Sequence, residues 1–155
     1  MITLDYANIT SELAVGSYPA TPEDILHLQA LGFTAVLSVQ SDADLDERAA
    51  SWERFWRFYT GRGISAVRVP IIDFDASDLA KNLLGAVDAL DKLVKSGRRV
   101  YLHCTAGINR SPTVAIAWIM RESKQPLETV LASFQAARPS ARPAISTLEK
   151  WERRK

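Results

Sequence analysis

The chain holds a single cysteine, Cys104, at the end of a short apolar run, with an arginine, Arg110, six residues further on. What surrounds that pair limits the fold more than any other feature. Arg99 to His103 has the length and composition of a buried strand, whereas Arg110 to Arg121 carries Val114, Ala115, Ala117, Trp118 and Ile119 at helical spacing. Residues 104–109 are then the loop of a strand-to-helix crossover. The same alternation repeats along the chain. Leu13–Gly16 is a short apolar segment, and Thr21-Pro22-Glu23-Asp24 combines an N-cap, a proline at the first helical position and first-turn acids. That helix runs to Leu31 and stops at Gly32, before the buried-strand pattern of Thr34–Val39. A mixed helix is expected from Asp44 to about Gly61, its stripe of Trp52, Phe55, Trp56 and Tyr59 facing the core, then a strand near Ala66–Val69. Ser77–Ser96 reads as a long helix closed by Gly97, and two further helices, Leu127–Ala137 and Ala144 onward, flank the Pro139 and Pro143 break. Strands alternating with amphipathic helices define an α/β chain with a central, mostly parallel sheet flanked by helices.

Composition removes several functions. With 155 residues, 47% of them hydrophobic, the chain can bury one sizeable core, so residues 1–155 read as a single domain. Lys and Arg number 19 against 18 Asp and Glu, which leaves no global field to draw the protein onto nucleic acid; any anion site must be local. No stretch approaches the roughly 18 apolar residues of a membrane helix, and Met1 to Tyr18 carries Asp5 and Glu12 where a signal peptide would be basic and then apolar. A cytoplasmic protein is expected. One cysteine makes neither an internal disulfide nor a thiolate metal cluster, so Cys104 is either a small buried hydrophobe or a reactive thiol.

Its neighbours favour the second role. In His103-Cys104-Thr105-Ala106-Gly107-Ile108-Asn109-Arg110-Ser111, six residues of tight loop can turn successive backbone N–H groups inward as a nest, and the following helix adds the positive end of its dipole. Gly107 permits the positive φ such a loop needs. A field of this kind favours an ionised thiol, the form that acts as a nucleophile. Arg110 supplies a planar fork for two phosphate oxygens, which lysine does not match. Ser111 can donate to the sulfur when it leaves, and His103 holds the loop in shape. No Gly-Lys-Ser/Thr follows, so this is not a nucleotide-binding loop, and neither a metal nor another cofactor is implied.

These residues match the Cys-x5-Arg-Ser/Thr signature of the protein tyrosine phosphatase superfamily, and their place two-thirds along a short chain resembles its dual-specificity branch. The resemblance implies the dual-specificity phosphatase fold and phosphomonoester hydrolysis through a phosphocysteine intermediate. It also implies a general acid at about the distance where Val69-Pro70-Ile71-Ile72-Asp73-Phe74-Asp75 stands: Asp73 lies 31 positions before Cys104 and Asp75 lies 29. Asp73 is the preferred acid, since Asp75 can instead cap the helix that follows.

Three stretches further resemble the small glucan phosphatases: Val15-Gly16-Ser17-Tyr18-Pro19 with Thr21-Pro22-Glu23-Asp24, Val39-Gln40-Ser41-Asp42-Ala43-Asp44, and Asp73-Phe74-Asp75. In that family an aromatic after the acid stacks on a sugar ring, which gives Phe74 and its neighbour Asp75 a possible substrate role beside the ordinary one of core packing and helix capping. Two departures stand out. The second glycine of the family's Cys-x-Ala-Gly-x-Gly-Arg loop is Asn109 here, and Leu45-Asp46-Glu47-Arg48 occupies the place of an aromatic pair. The expected partner is therefore a phosphorylated protein or a phosphorylated polysaccharide, with inositol lipid phosphates behind them. The competing reading from another class is a phosphate-recognition module without turnover, which would need neither nucleophile nor acid; a rhodanese-like sulfur transfer is a third. The Arg138–Arg142 segment reads as a solvated turn with no function assigned.

Overall fold

The computed structural model describes residues 2–154. Five strands form one sheet: β1 (Tyr6–Asn8), β2 (Leu13–Gly16), β3 (Ala35–Ser38), β4 (Ser65–Arg68) and β5 (Val100–His103), in the order β1-β2-β5-β3-β4. All neighbours run parallel except β1, which pairs antiparallel with β2 at one edge and was not foreseen from its three-residue sequence. The strands β2, β3 and β5 are buried on both faces, which is why they read as continuous apolar runs.

Side chains alternate across the sheet and so build two cores. Leu13, Val15, Ala35, Leu37, Val100 and Leu102 face one side, where they meet α4 (Ala76–Lys95), α5 (Arg110–Ser123), α6 (Leu127–Ala137) and α7 (Ile145–Arg153). Ala14, Val36 and Tyr101 face the other, packing with Ile25 and Leu28 of α1 (Pro22–Ala30) and Tyr59 of α3 (Trp52–Thr60). A capping box between Thr21 and Asp24 opens α1. Among the described residues no helix is long and apolar enough to cross a membrane.

One expectation is corrected. Asp44 to Gly61 is not one helix but two, α2 (Asp42–Glu47) and α3. Ser41 caps α2 in a box with Asp44, Ala49 then takes a left-handed φ of 50°, and the Ser51 side chain accepts from Arg54 N–H to start α3. Ala49 and Ala50 favour helix by propensity, so only the Ser51 cap marked the break. The aromatic stripe is accordingly less buried than expected: Tyr59 is in the core, Trp52 and Phe55 lie at its margin, and Trp56 is 46% exposed.

Register is what positions the site. Gly16, His103, Ser38 and Arg68 lie in one row across four parallel strands, so the loops after β2, β5, β3 and β4 leave the sheet at the same edge. The carboxyl edge of such a sheet is where α/β proteins bind ligands.

Candidate active site

Cys104 sits where β5 ends, and its sulfur, 2% exposed as a residue, is met from two sides. The Gly107 backbone N–H donates to Sγ at 3.3 Å, and Ser111 Oγ lies 3.2 Å away. Gly107 has φ 72°, and a Cβ there would stand 2.4 Å from the Gly16 carbonyl carbon, so both the turn and the close approach of β2 require glycine. Asn109 occupies the N-cap of α5 without a capping side chain, which leaves the first-turn N–H groups of that helix uncapped at the loop. Thr105 is tied on both flanks: its hydroxyl accepts from Gln40 Nε2 at 3.0 Å and its carbonyl from Tyr18 N–H at 2.9 Å. His103 is buried, and burial pushes its imidazole down to about 4, so the ring is neutral at ordinary pH. Its Nδ1–H donates to the Cys104 carbonyl at 2.8 Å, consistent with a supporting rather than a proton-carrying place.

Arg110, 2% exposed, is turned by an acid that the sequence did not single out. Asp44 takes the guanidinium end-on, at 2.7 Å from Nη1 and 3.3 Å from Nη2, and the Ile71 carbonyl accepts the remaining Nη1 hydrogen at 2.7 Å. Burial works against the Asp44 carboxylate, but hydrogen bonds from Arg110 and Ser41 and the Arg110 charge outweigh it and hold the group at about 2. The donors left over are Nε–H and one hydrogen of Nη2, which point side by side. That is the fork a phosphate uses. Asp73 stands at its edge, Oδ1 3.3 Å from Nε.

The acid loop carries the other expected residues. Asp73 is about one-third exposed and accepts from Phe74 N–H. Asp75 caps α4, its Oδ1 accepting from Asp78 N–H at 2.9 Å, which is the structural role open to it in the sequence. Phe74 is 98% exposed at φ 59°, so it is no core residue; Ile72, two positions before it, and Ile108 in the nucleophile loop are exposed as well. The structure therefore gathers Cys104, Ser111, Arg110 and Asp73 at one point, with Thr105, Ala106, Gly107, Ile108 and Asn109 forming the loop between them. It adds Asp44 and Arg138. The signal that could have pointed to Asp44 is its place three residues after Ser41, where a serine cap pairs with an acid just beyond a parallel strand. Arg138 donates to the Gly107 carbonyl at 2.8 Å and is only 3% exposed, although its place just before Pro139 suggested a solvated turn.

The family model described as the dual specificity phosphatase catalytic domain matches residues 13–154. The chain belongs to this family. Among curated relatives, phosphoglucan phosphatase DSP4, amyloplastic, of Castanea sativa is 34% identical over 118 residues, 75% of this chain and 32% of that protein. Dual specificity protein phosphatase 1 of Mus musculus is 30% identical over 139 residues, 89% of this chain and 34% of the relative. The chain thus spans about a third of these relatives' length. Of solved structures, Tk-PTP in the active form superposes with a TM-score of 0.81 at 26% identity, covering 97% of both chains. The fold is accordingly that of the dual-specificity and tyrosine phosphatases.

Proposed function

We propose that this family member hydrolyses phosphomonoesters through a phosphocysteine on Cys104. The observation that carries the proposal is the Nε/Nη2 edge of a buried arginine, met only by Asp73 at 3.3 Å from Nε among the described residues, beside a thiol that has a backbone N–H and a serine hydroxyl within hydrogen-bond reach. In the first step the Cys104 thiolate attacks phosphorus in line, and the ester P–O bond breaks as Asp73, carrying a proton, delivers it to the departing oxygen. In the second, the Asp73 carboxylate takes a proton from water, the water oxygen attacks phosphorus, and the S–P bond breaks. Ser111 donates to the leaving sulfur. Arg110 and the loop N–H groups hold the equatorial oxygens in both steps.

Asp73 lies where an incoming phosphate oxygen would meet Arg110 Nε. Two anions do not share that donor comfortably, so a bound phosphate displaces the Asp73 side chain from Nε.

The substrate is a phosphorylated protein or a phosphorylated polyglucan. Relatives named for each activity match this chain. Phe74 and Ile72, exposed beside the acid, offer an apolar platform that either a sugar face or a peptide side chain could use. A pure phosphate-binding module would have no need of Asp73 at the fork. A cytoplasmic location is part of the proposal.

The test is phosphate release from para-nitrophenyl phosphate, phosphopeptides and phosphorylated amylopectin, in the presence of EDTA, by wild type and Cys104→Ser. Turnover that survives chelation and is abolished by Cys104→Ser, with phosphate trapped on the wild-type cysteine after acid quench, is the expected outcome. Full activity in Cys104→Ser would sink the mechanism, and the ratio of rates on peptide and glucan assigns the substrate.

A further inference from the structure

The segment after α6 packs against the rear of the phosphate loop and engages its carbonyls one after another. Arg138 Nη2 donates to the Ala106 carbonyl at 3.3 Å and Nε to the Gly107 carbonyl at 2.8 Å. The Arg142 backbone N–H donates to the Ile108 carbonyl at 2.6 Å, and Asn109 Nδ2 returns a hydrogen bond to the Arg142 carbonyl at 2.8 Å. The third guanidinium nitrogen of Arg138, Nη1, reaches Asp5 at 3.3 Å.

A planar trans peptide points its C=O and the next residue's N–H in opposite directions. Holding the carbonyls of residues 106, 107 and 108 to the rear therefore turns the N–H groups of Gly107, Ile108 and Asn109 to the front. For the first of these the result is visible, since Gly107 N–H lies 3.3 Å from the Cys104 sulfur. Without a donor behind it, a buried carbonyl is costly, and rotation of its peptide would relieve the cost by taking the N–H away from the cradle. A guanidinium can serve two carbonyls one residue apart and still reach a carboxylate; an ammonium cannot match that fork. The same contacts account for Asn109 in place of a glycine: its amide fastens the loop to Arg142.

We propose that Arg138 is a positioning residue for phosphoryl transfer, fixing the inward N–H array on which the thiolate and the phosphate oxygens rest. This rests on the phosphatase reading of the site. The simpler role, tying Asp5 to the end of α6, makes a different demand: it needs the Arg138–Asp5 contact and not the carbonyls.

Tungstate, a tetrahedral oxyanion that is not turned over, separates the two. Its affinity is measured by calorimetry, and as an inhibition constant against para-nitrophenyl phosphate, for wild type, Arg138→Met, Arg138→Lys and Asp5→Ala. The positioning role predicts roughly tenfold weaker tungstate binding and a matching fall in kcat for Arg138→Met. Arg138→Lys should lie between the two, and Asp5→Ala should bind as wild type does. Wild-type affinity in a folded Arg138→Met, or an equal loss in Asp5→Ala, overturns the proposal. Should Arg138→Met fail to give a cooperative melt, Arg138→Lys decides: partial loss supports the positioning role and wild-type affinity refutes it. A wild type that neither binds tungstate nor releases phosphate removes the phosphatase reading itself, a result distinct from any difference among the variants.

Discussion

The two loops that meet at Arg110 are built on opposite plans. The nucleophile loop, residues 104–109, is fastened through Gln40 and Tyr18 on one flank, Arg138 and Arg142 on the other, and Gly16 beneath. The acid loop, residues 72–74, has fewer ties: Ile72 N–H donates to Asp78 at 2.8 Å, and Asp73 Oδ1 lies 3.3 Å from Arg110 Nε. Before it, Ile71 is buried and bonded to Val39 and Arg110; after it, Asp75 and Asp78 close the start of α4. Between those anchors Phe74 is exposed in a left-handed conformation. The difference follows from the tasks. A charge-stabilising array must be in place before the transition state forms, whereas a proton donor has to move with its substrate.

The largest test of that division compares Arg110→Lys with Asp73→Asn. Lysine loses the fork, so Arg110→Lys should lower kcat/KM by about a thousandfold or more and weaken tungstate binding with it. Asp73→Asn should cost about a hundred- to a thousandfold in kcat on substrates with poor leaving groups, far less on para-nitrophenyl phosphate, and nothing in tungstate affinity. If Asp73→Asn impairs all leaving groups equally, Asp73 is not the proton donor, and the two loops do not divide labour as described.

A second contrast concerns pH. The buried stalk of the nucleophile loop should make stability depend on pH. His103 is held at about 4, against an ordinary 6.5, by burial. Below about pH 6.5 the unfolded chain takes up a proton that the folded ring refuses, so stability present above that pH is lost as pH falls to about 4. The loss attributable to His103 is on the order of 3 kcal/mol. Urea unfolding of wild type and His103→Asn at pH 7 and pH 4.5 measures it. Wild type should lose more stability than the variant; parallel losses would show that the neutral ring carries no such linkage.

Much of this was legible in the sequence because it is local. A strand, six residues and a helix bearing Cys104, Arg110 and Ser111 define a cradle wherever the rest of the chain goes. Asp73 was reached through the family resemblance, which places an acid about that far before the cysteine, and Asp75 as a cap by its place before Ser77. Contacts between distant segments were not legible. Asp44 stands 66 residues before Arg110, and only the register of β3 against β5 brings it there. Arg138 looked like a turn residue because nothing local says that the α6 end folds back under the phosphate loop. The break after α2 was hidden by alanines whose helical propensity lost to the Ser51 cap. Phe74 could be read as core or platform, and only burial in three dimensions separates those.

Phe74 also gives the smallest test. A non-glycine residue at φ 59° carries a backbone cost of roughly 1 kcal/mol, and a side chain 98% exposed returns almost no packing. Asparagine tolerates this conformation, so Phe74→Asn should raise stability by about 0.5–1 kcal/mol in urea unfolding. An aromatic platform contributes about 1 kcal/mol where it is used, or a factor of about five. The variant should then lose about fivefold more kcat/KM on its polymeric or peptide substrate than on para-nitrophenyl phosphate. A more stable protein with equal losses on both would mean that the strained ring contacts no substrate. A less stable one would mean that the acid loop is packed more firmly than its exposure indicates, and the contrast between the two loops would narrow.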